Sequence, residues 1–438
     1  MKIRLGVWLL VASLLAVAPA LAQKAPGVTD TEVVIGLTMP LSGPAAAWSN
    51  TGVAMEAWTR YVNDQGGIHG RKLKVVMKDD GYNPGRAVAN LEEMKDQVFM
   101  SVGLLGSAIL QASKDKVAEF KLPTINPYGN PAIWAKQSKD KLRYVFVAYT
   151  DYGDEGDFLV SHAVNKLGTS KVAVFYQNDE YGKGGLEGVN RGLKSLGGKG
   201  SLATTVAYEL TDREMGTHAL KLKDSGADTV ILYSTITHGA NVVKEMAKVG
   251  YRPKIVSSFP LGDYSIMYRL LGELWEGAHF NALNAAAVAG DPAAKPILEI
   301  LTKYEPKLVG RENTALAGAT AIILAVEGLK KAGRNVTRES YVEAGMRCVK
   351  HELGLRPRFL ANVGSYTYFA KHGESCENEH CSVLIGYSDR LPDPNPDCVY
   401  QLHYFTIDKL ALLAERQDIT PWLRKALPIV LEAYGKRV

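Results

Sequence analysis

From Thr31 to about Ser258 the chain alternates short β-rich apolar runs with longer stretches whose apolar positions recur at helical spacing. Residues 33–37 read as a strand and 51–64 as a helix ended by Gly66-Gly67. Residues 73–78 follow as a strand, then 84–98 as a helix with Pro84 in its first turn. Residues 101–105, 108–120 and 122–126 continue the series as strand, helix and strand. After a run at 144–148 the rhythm restarts. Residues 171–176, 229–232 and 255–258 read as strands, with 185–196, 215–225 and 239–249 as helices. Alternation of this kind builds parallel sheets covered on both faces. Two series in one chain predict an α/β protein of two Rossmann-like lobes.

The pattern continues past the second series. Residues 315–332 read as a long helix capped by Gly333 that returns to lobe one. Residues 345–410 are rich in Gly, Pro, Cys and aromatics, as in Asp393-Pro394-Asn395-Pro396-Asp397, and predict a loop-rich return to lobe two ending in a run at 400–407. A helical tail is expected at 420–434. The resulting division is 23–148 and 278–345 for lobe one, and 149–277 and 346–415 for lobe two with a cysteine-rich insertion. The tail is 416–438.

The first 22 residues have a different character. Lys2 and Arg4 precede an apolar stretch, and Ala20-Leu21-Ala22 supplies small residues at the alternate positions a signal peptidase reads. This predicts a cleaved secretory signal and a periplasmic protein. The apolar stretch is too short to span a bilayer comfortably. The first cysteine is Cys348, so no lipid anchor is expected at the cleavage point.

Composition narrows the function classes. A formal charge of +5 over 438 residues, spread without a basic run, argues against nucleic acid. Cys348, Cys376, Cys381 and Cys398 lie in the last quarter; in an exported chain they predict disulfides. The favoured pairing is Cys376 with Cys381 and Cys348 with Cys398. A metal site using Cys376, Cys381, His380 and His372 is the rival reading, weakened by the loose cysteine spacing. There is no G-x-S-x-G elbow, P-loop or H-E-x-x-H, so no catalytic residue is nominated. Neither a cofactor nor a metal is expected.

In open α/β sheets ligands sit beyond the carboxyl ends of the strands. Four loops lie there: Pro40-Leu41-Ser42-Gly43-Pro44 with Trp48; Gly106-Ser107; Pro127-Tyr128-Gly129-Asn130-Pro131; and Asp179-Glu180-Tyr181-Gly182. Ser107, after a glycine and at a helix start, offers a hydroxyl and first-turn N–H groups to a carboxylate. A plain helix cap is the simpler use of such a serine. Trp48 and Tyr128 are loop aromatics fit for ligand contact or packing. The glycine run Gly182-Lys183-Gly184-Gly185 is explained by helix entry.

At these residues the chain resembles the leucine/isoleucine/valine-binding proteins. The likeness rests on Asn63-Asp64-Gln65-Gly66-Gly67-Ile68-His69-Gly70-Arg71, on Lys78-Asp79-Asp80 with Pro84, on Pro40-Leu41-Ser42-Gly43-Pro44, and on Asp179-Glu180-Tyr181-Gly182-Lys183-Gly184. It runs from about Thr31 to Ala332 and weakens beyond Cys348. It implies the type I periplasmic binding protein fold, a flytrap clamp of two lobes joined by three crossovers. It implies a small-molecule ligand held by Trp48, Gly106, Ser107, Tyr128, Asn130, Tyr181, Ile236 and Phe259, and delivery by a monomer to the membrane permease of an ABC importer. The resemblance places an acidic residue for the ligand's ammonium after residue 258, where this chain has Phe259-Pro260, with Asp263 slightly later. A buried ammonium without an anion is costly. With Trp48, Tyr128, Trp134, Tyr181 and Phe259 as an aromatic-rich cleft, an organic acid or aromatic compound is favoured. The alternatives are a branched-chain or other amino acid, and presentation of ligand to a sensory receptor.

Overall fold

The computed structural model describes residues 25–282, 294–353, 360–372 and 375–386, the last of these from 346 onward by backbone alone. Two parallel five-stranded sheets form two lobes. In lobe one, β1 (Glu32–Met39), β2 (Lys72–Asp79), β3 (Met100–Val102), β4 (Thr124–Ile125) and β5 (Val145–Phe146) stand in the order β2-β1-β3-β4-β5. The helices α1 (Ser49–Asp64), α2 (Pro84–Met94) and α3 (Ser107–Glu119) alternate with them, followed by the single turns α4 (Ala132–Ala135) and α5 (Lys139–Leu142).

Lobe two repeats this plan. Its strands are β6 (Lys171–Gln177), β7 (Ser201–Tyr208), β8 (Thr229–Tyr233), β9 (Lys254–Ser257) and β10 (His279–Phe280), in the equivalent order β7-β6-β8-β9-β10. Its helices are α6 (Tyr152–Leu167), α7 (Glu180–Ser195), α8 (Gly216–Asp224), α9 (Ile236–Lys248) and α10 (Tyr264–Leu271). Both orders switch direction beside the first strand, β1 or β6. That switch opens a crevice at the strands' carboxyl ends. Fully buried strands such as β8 carry the core because helices cover both faces.

Among the elements that escape the sequence pattern, α6 and β7 lie within lobe two. Helix α6 is announced by the cap Asp151, whose carboxylate accepts from Gly153 and Asp154 N–H. Strand β7 alternates exposed positions with half-buried or buried ones, and its inward residues Leu202, Thr204, Val206 and Tyr208 form no continuous apolar run.

After β10 the chain returns to lobe one as α11 (Lys295–Tyr304), α12 (Glu312–Ala332) and α13 (Arg338–Leu353). Helix α12 buries Leu316, Ile322, Val326 and Leu329, each worth roughly 1.5–3 kcal/mol when fully removed from water. It crosses α1 where Gly318 meets the backbone of Thr51, an approach that any Cβ would block. Arg338 anchors α13 by donating to the carbonyls of Lys95, Val98, Phe99 and Phe120.

The loop-rich reading of 345–410 is corrected in part. Helix α13 runs to Leu353, and β11 (Leu360–His372) pairs antiparallel with β12 (Ser375–Gly386). Tyr366-Thr367-Tyr368-Phe369 on β11 and Val383-Leu384-Ile385 on β12 are strand formers, the first run standing opposite residues 378–381 and the second opposite residues 361–364. Cys348 stands on α13, and Cys376 and Cys381 on β12; their side chains, like Cys398, lie outside the described residues, so the disulfide and metal readings fall there too. So do residues 1–22, the run at 400–407 and the tail. Among the described residues no helix is long and apolar enough to cross a membrane.

Candidate functional site

The site grows from the carboxyl ends of the strands. Beyond β2, Asp79 accepts from Leu41 N–H (2.9 Å), Ser42 N–H (3.1 Å) and the Ser42 hydroxyl (2.6 Å), fixing the loop that leads from β1 to Trp48. Burial pushes the Asp79 carboxyl up, but hydrogen bonds from Ser42, Gly81 and Leu41 outweigh it and bring its pKa to about 2. Its neighbour Asp80 accepts from Tyr82 N–H (2.8 Å) and the Thr38 hydroxyl (3.0 Å); burial pushes its carboxyl up to about 6. Tyr82 is held at φ 61°, an uncommon conformation for a large side chain. A Cβ on Gly106 (φ 116°) would lie 2.7 Å from the Tyr82 ring, so glycine is required there.

Ser107 opens α3, but Gly106 is the cap and makes no side-chain bond. The Ser107 hydroxyl oxygen instead accepts from Asn130 N–H (3.0 Å), and its proton is free for another acceptor. Tyr128 donates its hydroxyl to the Ala317 carbonyl of α12 (2.7 Å), which sets its ring. From lobe two, Tyr181 is tied to the Ser258 hydroxyl and to the Ser234 carbonyl.

These groups enclose a narrow cavity of about 30 Å³ between the lobes. It is lined by Trp48, Tyr82, Leu105, Gly106, Ser107 and Tyr128 of lobe one, Tyr149 of the crossing segment, and Tyr152, Tyr181, Ser234, Thr235 and Pro260 of lobe two, with Ala45 beside Trp48. Among the described residues no charged side chain lines it. Anything larger than a few waters enters only when the lobes part. Among the hydrogen bonds that join the lobes are Trp48 Nε1 to the Pro260 carbonyl (3.2 Å), Asn130 Nδ2 to the Glu180 carbonyl (3.0 Å), the Thr314 hydroxyl to Asp263 (3.3 Å), and the Arg269 guanidinium to the Gly310 carbonyl (3.4 Å).

Of the nominated residues, Trp48, Gly106, Ser107, Tyr128 and Tyr181 meet at this cavity. The other three stand elsewhere. Asn130 spends its side chain on Glu180 and Ala132. Ile236 is packed at the start of α9, behind Ser234 and Thr235. Phe259 backs the lining, its ring stacked on Tyr152 (5.5 Å, 14°) and edge-on to Tyr149 (5.0 Å). Trp134 belongs to a separate apolar cluster under α2 and α3. Asp263 caps α10, accepting from Ile266 N–H, and faces Thr314 rather than the cavity. Tyr82, Tyr149 and Tyr152 were missed; Asp80 beside Tyr82, and the Asp151 cap before Tyr152, were the available signals.

Comparison with known proteins agrees with this geometry. The family model for periplasmic binding proteins matches residues 32–372. A Leu/Ile/Val-binding protein homolog 3 from Brucella melitensis is 23% identical over 308 residues, covering 69% of this chain and 80% of its own. An amino acid binding protein from Pseudomonas aeruginosa is 29% identical over 52% of this chain and 60% of its own. Among solved structures, a fatty acid ABC transporter substrate-binding protein from Thermomonospora curvata superposes with TM-score 0.67 at 25% identity, covering 74% of this chain and 83% of its own. A branched-chain amino acid transporter substrate-binding protein from Streptococcus pneumoniae, in complex with isoleucine, gives TM-score 0.63 at 17% identity, covering 81% and 100%. The two equivalent sheets, the crevice between them and the matched span together establish that this chain belongs to the periplasmic binding protein family, among the Leu/Ile/Val-binding proteins and with their type I fold.

Proposed function

We propose that this protein captures a small organic acid or aromatic compound in the periplasm and hands it to the membrane permease of an ABC importer. The uncharged aromatic lining is the observation that supports this reading. An ammonium closed into that cavity would meet no carboxylate, because Asp263 caps α10 and Glu155 stands behind the rings, and desolvating it unpaired is costly. A carboxylate would find the Ser107 hydroxyl and the first turn of α3, whose N–H groups have no acceptor within the helix. Ligand first meets lobe one at Ser107, Tyr82 and Tyr128. Lobe two then swings in, and Tyr152, Tyr181 and Pro260 complete the wall. Closure removes water, which strengthens each placed polar contact. The protein acts by binding alone, as a monomer exported through a cleaved signal at residues 1–22, with no cofactor.

A thermal-shift screen of the purified protein against amino acids, aliphatic acids, aromatic acids and alcohols tests the reading. A ligand of the folded state raises the melting temperature as its concentration exceeds Kd. Aromatic or aliphatic acids are expected to give the largest shift. Largest shifts from branched-chain amino acids would overturn the choice of cargo and favour the ligand class named for several relatives.

A further inference from the structure

Glu155 lies in the first turn of α6, the helix by which the chain enters lobe two, and it is 2% exposed. Its Oε1 accepts from Phe259 N–H (2.9 Å) and from Asn281 Nδ2 (2.9 Å). Phe259 opens the turn whose next residue, Pro260, receives the Trp48 indole of lobe one. Asn281 is where the chain leaves lobe two, its N–H donating to the Ser257 carbonyl (3.1 Å). One carboxyl therefore ties together the entry, the exit and the closing turn of the lobe. The rings of Tyr149, Tyr152 and Phe259 pack against one another over this region. Tyr149 in turn rests on Tyr128 of lobe one (5.6 Å), so the aromatic cover is whole only while the lobes are together.

We propose that Glu155 is a positioning residue for closure: it holds the Phe259–Pro260 turn in register with Trp48, and closing the lobes takes up a proton at its carboxyl. The titratable groups facing it are Asp151 at the cap of α6, Tyr149 and Tyr152 beside it, Tyr181 of α7 and Tyr233 of β8. None is a cation, and burial holds all four tyrosines well above their ordinary range. Burial likewise raises Glu155, hydrogen bonds from Asn281, Phe259 and Tyr233 offset this only in part, and the carboxyl sits at about 7. Parting the lobes lets water reach the cover and returns the group toward its ordinary 4.5. The closed form thus binds the proton more tightly, so closure is favoured below about 7 and weakens as pH rises through it.

The test uses the full-length protein without ligand, so its outcome is separate from the choice of cargo. Small-angle scattering from about pH 5.5 to pH 8.5 is expected to give a smaller radius of gyration at the acid end, with a midpoint near neutrality. Glu155→Gln keeps an acceptor oxygen but cannot titrate; its profile should be flat, which also separates Glu155 from Asp80 and from Asp179, whose carboxyl burial likewise pushes up to about 6. Hydrogen exchange of the segment around Phe259 should stay near wild type in Glu155→Gln and speed up about tenfold or more in Glu155→Leu. A pH-independent radius in the wild type, a wild-type profile in Glu155→Gln, or full protection in Glu155→Leu would each overturn the proposal. If Glu155→Leu does not fold, the scattering comparison decides alone.

Discussion

The indole nitrogen of Trp48 donates a 3.2 Å hydrogen bond to the Pro260 carbonyl, and this contact joins residues 212 positions apart across the cleft. Both belong to turns at the carboxyl ends of strands, β1 on one side and β9 on the other. Trp48→Phe keeps an apolar ring but removes the donor. Affinity for the tightest compound of the screen should fall about 5- to 10-fold, the net worth of one hydrogen bond, mainly through faster dissociation. An unchanged Kd by calorimetry would mean that this contact does not contribute to closure.

Ser107→Ala separates two roles of one hydroxyl. Losing the acceptor for Asn130 N–H should cost about 1–3 kcal/mol of stability. Losing the donor should weaken binding of a carboxylate more than that of its neutral amide, because charge-assisted bonds are roughly twice as strong. Equal losses for acid and amide would leave Ser107 only the task of holding Asn130.

The glycines of α7 give a third prediction. A Cβ on Gly188 would run into the Gly153 carbonyl where α6 and α7 pack, so Gly188→Ala should destabilise the fold by about 3 kcal/mol in denaturant melts. A Cβ on Gly184 would instead meet the Asn130 amide from the opposite lobe. Gly184→Ala should leave the melt nearly unchanged yet weaken binding. A shared loss of stability would show that Gly184 serves the helix pair instead.

Acid stability supplies the fourth. Asp79 is held at about 2 against an ordinary 3.8, so it contributes stability above 3.8 that is lost as pH falls through 2. Asp79→Asn cannot lose a charge there, and its stability should change less between pH 4 and pH 2 than that of the wild type. Parallel denaturation curves for the two proteins over that range would refute the assignment.

Most strands of the two sheets were legible because they are short apolar runs bounded by Gly, Pro and Asn, whereas β7 and β10 were not read. Helix α6 was not, since Gly153, Gly156 and several polar residues blur its apolar face; only the Asp151 cap marks its start. The run Gly182–Gly185, first read as helix entry, lies within the first turns of α7. There glycine admits the backbone of Gln177, the Asn130 amide and the Tyr233 ring. Ser107 was found by its place at a helix start, although its hydroxyl caps nothing and accepts from Asn130. Tyr82, Tyr149 and Tyr152 were missed because aromatic residues near turns fit packing and ligand contact equally well in sequence. Asn130 and Phe259 were nominated for the cleft and stand one layer behind it, a distinction that depends on side-chain direction.

Helix α12 fills the groove over α1 from more than 240 residues further along the chain. Among the described residues, the strands of the lobe-two sheet, β6 to β10, are all made before α12 is synthesised. A chain emerging from its amino end therefore has this second sheet available while the apolar faces of α1 and the first sheet stay uncovered. The interval between making α1 and making α12 is when this molecule is most exposed to aggregation, and when a holding chaperone would be of most use to it.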